Sequence, residues 1–341
     1  MKIRMHQIHF FIILFTISIL SITGMYAYAL FDVTSVGEIE DDSDKLLDGV
    51  LGTAIYTVGD STYVVAASEN EHGIEIIDIS DPTSPTSVGR LADDGSLFLN
   101  KSVDVAILDL SASETYAVVA GSQDNGIEII DISDPTSPSP WGQLADTSRC
   151  DTDDDDEICL GHVSAVAIAT IGDRPYVVAA GKNDHGIEII DISSPDFPSQ
   201  VGSFSDDRTT LLKNPNDVAI ATIDGKTYAV VASATDDGIE IIDISDTENP
   251  TSVGRLADDD TKVLEQTYGV AIATIAGSTY AVAVGYQDDG IAIIDISTPA
   301  SPVYVGELED GTHTERCSAA NGERCLDGPT SVAVETIGGL T

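Results

Sequence analysis

The apolar positions of this chain fall in short runs, each closed by glycine, aspartate or proline, and no run keeps a helical period over a dozen residues. In the stretch 215–266 four such runs follow one another, at 217–222, 227–233, 238–245 and 251–256. Asp224-Gly225-Lys226 joins the first two as a hairpin signal, Asp236-Asp237 precedes the third, and Pro250 stands just before the fourth. Four short antiparallel strands are expected. In the equivalent run Ile74-Glu75-Ile76-Ile77-Asp78-Ile79 the isoleucines occupy both faces of the strand, the pattern of a sheet sandwiched between other sheets.

The runs repeat. Gly-Ile-Glu-Ile-Ile-Asp-Ile-Ser begins at Gly73, Gly126, Gly186 and Gly238, and returns at Gly290 with alanine in place of glutamate, at spacings of 53, 60, 52 and 52 residues. A tyrosine opening a Val/Ala-rich run, at Tyr63, Tyr116, Tyr176, Tyr228 and Tyr280, keeps the same spacings. Two markers in one register define tandem units at about 46–101, 102–161, 162–214, 215–266 and 267–328, with a partial unit at 329–341. Tandem four-stranded units predict an all-β fold, a β-propeller spanning 30–341 in which each blade buries both faces against its neighbours.

The succession of a Val/Ala-rich strand, Gly-Ile-Glu-Ile-Ile-Asp-Ile-Ser-Asp-Pro-Thr-Ser-Pro and Val-Gly-Arg-Leu resembles the LVIVD-type β-propeller repeat of exported prokaryotic proteins. The likeness runs from about Val33 to the end, although the motif reads Ile-Glu-Ile-Ile-Asp here. It implies the fold and is nearly silent on function, because the fold hosts unrelated activities. Val33–Ile39 matches a fourth strand and Ser331–Gly339 a first strand with its turn, so the expectation is five complete blades plus a split, incomplete sixth. On this reading the natural protein continues beyond Thr341: two further strands would complete a sixth blade, and a longer continuation would give seven or eight.

Charge narrows the partners. The 341 residues carry 58 acidic and 15 basic side chains, a formal net charge of −43, which repels nucleic acid and anionic lipid surfaces and favours cations, a basic protein partner or a very salty solvent. Lys2 and Arg4 precede an apolar run from Phe10, and Ala27-Tyr28-Ala29 offers a small-x-small cleavage site, so 1–29 reads as a signal peptide or an N-terminal membrane anchor. The protein is then secreted or held at the cell surface, touching the membrane only through this segment or through a missing C-terminal anchor. Cys150 with Cys159 and Cys317 with Cys325 are close pairs that suit local disulfides in an exported chain.

Candidate chemistry is sparse. Asp78, Asp131, Asp191, Asp243 and Asp295 close the third strand of every unit, and are expected to accept backbone amides of the following turn. Asp151, Asp153, Asp154, Asp155, Asp156 and Glu157 lie between one cysteine pair and read first as a solvated acidic loop; the alternative is a Ca²⁺ site, since the hard-oxygen cluster suits that ion without matching an EF-hand. No other cofactor is expected. Among the histidines, His72 and His185 share one loop position and read as surface residues. No Gly-x-Ser-x-Gly element or phosphate-binding loop occurs. The leading expectation is a non-catalytic extracellular binding or cell-surface protein that uses an acidic loop face. The alternative is a hydrolase or lactonase-like enzyme with its site at the channel mouth.

Overall fold

The computed structural model describes residues 7–11, 35–42, 44–145, 160–259, 261–309, 326 and 328–334. Five four-stranded antiparallel sheets, at 50–92, 102–145, 163–205, 215–257 and 267–309, each run in simple sequence order. In blade four the strands are Pro215–Ile223, Lys226–Ser233, Gly238–Asp243 and Thr251–Ala257. Asp224 and Gly225 both take positive φ, 52° and 78°, which gives the hairpin the twist its flanking strands need. The first strand of each blade packs on the first strand of the next, and these strands surround a common central channel. Among the described residues no helix is long and apolar enough to cross a membrane.

The core lies between blades. Ile239, Ile241 and Ile242 of blade four are all fully buried, although Ile241 and Ile242 point to opposite faces of the sheet. One cluster joins Ile239 and Ile241 to Val270 and Ile294 of blade five, and another joins Ile242 to Val178 and Ile189 of blade three. Fully burying each isoleucine contributes about 1.5–3 kcal/mol.

A second set of contacts ties the loops on one face. The residue just before the third strand is left-handed in every blade: His72, Asn125, His185, Asp237 and Asp289 have φ between 51° and 56°. Each side chain accepts a hydrogen bond from the backbone N–H that opens the next unit. Lys101 donates to His72 Nδ1 at 3.0 Å, His162 to Asn125 at 2.9 Å, Asn214 to His185 Nδ1 at 3.1 Å, Gln266 to Asp237 at 2.8 Å and Gly328 to Asp289 at 2.8 Å. His72 and His185 are thus inter-blade acceptors, with the proton on Nε2.

Asn125 performs in blade two the task of His185 in blade three, so His185→Asn should leave the urea midpoint almost unchanged. His185→Ala orphans the Asn214 N–H and should cost about 1–3 kcal/mol. Equal midpoints for the two variants in equilibrium unfolding would remove the strap from the account.

Candidate functional site

The channel opens on the face that carries the blade-to-blade loops, into a cavity of about 350 Å³. Three tiers of side chains form its lining. The first residue facing the channel in each inner strand gives Leu51, Val103, Ser164, Asn216 and Tyr268, and Thr330, in the unpaired segment 328–334, joins them. Behind it come Asp104, Ala165, Asp217 and Ser331. The residue after each second strand adds Glu69, Ser122 and Lys182. The rest of the repeat is nearly the same in every blade, whereas these tiers differ in almost every blade.

Basic groups gather on the side of blades two and three. Lys182 is half-buried, has no carboxylate partner among the described residues, and is held below its ordinary pKa by loss of hydration. His162, at the rim, is lowered first by burial and then by the Lys182 and Lys101 ammonium groups. Lys101 reaches Glu69 at 3.2 Å. On the blade-five side Tyr268 and Tyr286 form an aromatic wall, their ring centroids 5.1 Å apart.

Two carboxyls stand below the mouth. Asp104 accepts from Val166 N at 2.9 Å and Asp217 from Val270 N at 2.8 Å, each reaching from one inner strand to the next. Asp217 also accepts from Val218 N at 2.8 Å. Gly52 makes room for Asp104, since a Cβ at residue 52 would lie 2.5 Å from the Asp104 Cα. Burial pushes Asp104 up to about 7, helped by the Asp217 charge, against the backbone amides that favour its charged form. Burial likewise raises Asp217 to about 6. Both keep partial access to channel water, which limits the energetic cost of their ionisation.

Other acids are committed to the scaffold. Asp78, Asp131, Asp191, Asp243 and Asp295 accept from the N–H groups of Ser80, Ser133, Ser193, Ser245 and Ser297 at 2.8–3.0 Å. Glu71, Asp124, Asp184, Asp236 and Asp288, in the loops between second and third strands, accept from the N–H groups of Asp48, Asn100, Gly161, Lys213 and Glu265. Glu75, Glu128 and Glu240 are buried in the third strands and take the N–H groups of Leu46, Phe98 and Leu211. Desolvation lifts Glu128 to about 7. Asp151, Asp153, Asp154, Asp155, Asp156 and Glu157 and all four cysteines lie outside the described residues. Among the described residues no three His, Cys, Asp or Glu side chains converge as a metal site.

Five blades with a channel-mouth cavity define a β-propeller. LVIVD repeats match residues 56–93, 107–146, 164–206, 223–258 and 280–310, and the chain belongs to the LVIVD repeat family. No curated protein matches it in sequence. Among solved structures it is similar to a periplasmic gluconolactonase of Pseudomonas aeruginosa, with 10% identity over 82% of this chain and 74% of that one, at a TM-score of 0.56. A hypothetical selenium-binding protein of Sulfolobus tokodaii aligns at 12% identity over 83% and 69% of the two chains, TM-score 0.55. A protein of Lactobacillus plantarum aligns at 15% over 76% and 71%, TM-score 0.54. At these identities the likeness is one of fold.

A carboxyl whose pKa is higher folded than unfolded holds its proton more tightly in the native state. Its effect is to lower stability as pH rises from the unfolded value near 4 through the folded value near 7. Asp104→Asn keeps an oxygen for Val166 N–H and should be more stable than the parent by about 1–3 kcal/mol at pH 8, converging with it near pH 4. Glu128→Gln should behave alike. Parallel melting curves across that pH range would show that neither carboxyl is strained by ionisation.

Proposed function

We propose that this chain is a non-catalytic binding protein working outside the cytoplasm, and that it holds a small hydroxylated anion at the mouth of its central channel. One observation carries the reading: in a chain of net charge −43, a half-buried Lys182 with no carboxylate partner among the described residues lines an open cavity together with His162. A solvated ammonium needs no such setting, and a desolvated one gains most from an anion. Tyr268, backed by Tyr286, supplies an aromatic face opposite, and Ser164, whose hydroxyl donates to Pro215 O, leaves its oxygen to accept from a polyol chain. The divergence of the lining between otherwise similar blades fits a ligand without the symmetry of the ring.

The acidity of the whole protein opposes an anion, so magnitudes decide. At physiological salt the Debye length is about 8 Å, and distant surface carboxylates are largely screened. A contact ion pair at about 4 Å near a protein surface is worth roughly 4 kcal/mol before desolvation. Among the carboxyls that line the cavity itself, Glu69 is offset by Lys101, and burial raises Asp104 and Asp217, which reduces their charge near neutral pH.

Hydrolysis is the second reading, resting on Asp104, a carboxyl in the channel with a pKa raised to about 7, where proton transfer is efficient. A gluconolactonase among the fold relatives makes a lactone the natural substrate to try.

Titration calorimetry of the full chain with D-gluconate should give saturable one-to-one binding, weakened at least tenfold in Lys182→Met, the loss expected for one charge-assisted hydrogen bond. No heat with a folded sample, or equal affinity in the variant, would overturn the binding reading. Turnover of glucono-lactone abolished by Asp104→Asn would replace it with catalysis.

A further inference from the structure

On the face away from the channel mouth, the rim between blades two and three departs from the other described seams at three positions. The first opens the second strand of each blade, and is Ser61, Glu114, Arg174, Lys226 and Ser278 in turn. In blades three and four it is a cation that meets the aspartate closing the third strand. Arg174 donates to Asp191 at 3.2 Å and Lys226 to Asp243 at 2.7 Å. In blade two an acid, Glu114, stands where those cations stand. Burial holds the Tyr116 phenol above its ordinary pKa, and the charges of Asp131, Glu114 and Asp196 add to the effect, so three carboxylates share its surroundings. Among the described residues none of the three has a basic partner.

An exposed aromatic surface lies beside these acids. Val88, Val201 and Val253 occupy one fourth-strand position and pack on the core between blades. Blade two has Trp141 there, 48% exposed, with its ring centroid 6.0 Å from that of Tyr116. Gly142, the next residue, backs onto the corner of blade three, where an added Cβ would lie 2.0 Å from Pro195 O and 3.2 Å from Asp196 Cα. Phe197 follows in that corner and is 77% exposed. Its counterparts are Ser84, Ser137, Asn249 and Ser301, and the same backbone hydrogen bond closes the turn in all five blades, so the turn does not require a phenyl ring. Two large rings left in water with no scaffold reason mark an interaction surface.

We propose that this rim docks an arginine-bearing segment of a basic protein partner, the guanidinium stacking on Trp141 and pairing with Glu114 and Asp196 while Phe197 covers an apolar residue next to it. Blades three and four display the same chemistry within one chain, since a cation there sits on the third-strand aspartate. Blade two keeps the aspartate, replaces the cation with an acid and adds an indole face, which attracts a cation through its ring quadrupole. Charge selects the occupant. A neutral glycan would stack on Trp141 but leave the mutual repulsion of three carboxylates unrelieved. A second copy would bring a further net charge of −43. Arginine suits the site better than lysine, because its flat, weakly hydrated guanidinium stacks on rings and binds carboxylates through paired N–H groups.

Trp141 is the single tryptophan of the chain, so indole emission reports on this rim alone. The probe is a synthetic Gly-Leu-Arg-Leu-Arg-Gly peptide, acetylated and amidated, titrated into the full chain at about 0.15 M salt, where distant charges are screened. A saturable change in emission is expected, and none when citrulline, a neutral isostere, replaces both arginines. Glu114→Lys copies the pair of blade four and should weaken binding at least tenfold, although it alters the net charge only slightly. Asp196→Asn, at an exposed position, serves if that variant does not fold. No change at roughly 1 mM peptide, equal binding of the citrulline peptide, or indifference to both substitutions would overturn the proposal. Saturable quenching by neutral cellohexaose would overturn it too, since the occupant would then be a glycan.

Discussion

Each sheet of this protein is oily on both sides, and that single condition governs the rest. A sheet with one apolar face needs one cover; a sheet carrying isoleucine on both faces needs two, and a chain of such sheets meets the requirement by stacking each sheet between its neighbours around an axis. The third strand states the condition most sharply, since Ile241 and Ile242 are both fully buried while pointing to opposite neighbours. The same condition shows in blade five, where Ile293, the counterpart of the fully buried Ile241, is 37% exposed among the described residues.

Closing the ring creates a second problem, which the acidic residues solve. The linkers between blades run over one face without sheet partners, and their N–H groups need acceptors. In blade one they receive Glu75, Glu71 and His72, and in blade four Glu240, Asp236 and Asp237. Several acids in the linkers themselves close local turns: Asp93 accepts from Gly95, Asp94 from Ser96 and Asp207 from Thr209. A good part of the negative charge is therefore structural. Surface ion pairs such as Lys226 with Asp243 add little beside these bonds, because an exposed pair is worth under about 1 kcal/mol.

The fold was legible because its determinants are local and repeated: strand length, two-sided isoleucine patterning, and turn residues at fixed offsets. The fourth-strand piece at Val33–Ile39 was legible for the same reason and forms the strand Ser35–Glu40, whereas 331–334 form no strand and 335–339 lie outside the described residues. The straps and the channel were harder to read. His72 looks like a loop residue because its partner, the Lys101 amide, lies in the next unit and is a backbone group that leaves no trace in residue type. Glu75 did carry a signal, a lone carboxylate among isoleucines replaced by Ala292 in the last unit, which marks a buried acceptor. Lys182, His162 and Asp104 come together only through ring closure. Aligning the units and asking where they disagree would have found them, since the ring itself makes no demand at those positions.

That disagreement is the strongest physical handle on what the protein does. The bonds that build the ring ask the same kind of group of each blade, an acceptor at every strap and an isoleucine in every third strand, so a scaffold alone predicts chemically equivalent side chains around the axis. Gly52, Asp104, Ala165, Asp217, Gly269 and Ser331 occupy one tier and share little chemistry. Part of the variation is steric, because Asp104 leans over Gly52 and one small residue is needed for each large one. Sterics do not account for Lys182, whose counterparts Glu69, Ser122, Ala234 and Tyr286 are an acid, a hydroxyl, a methyl and a phenol. An ammonium losing hydration with no carboxylate partner among the described residues costs stability that a salt bridge to a neighbouring aspartate would recover, and no bond that builds the ring requires that cost at residue 182.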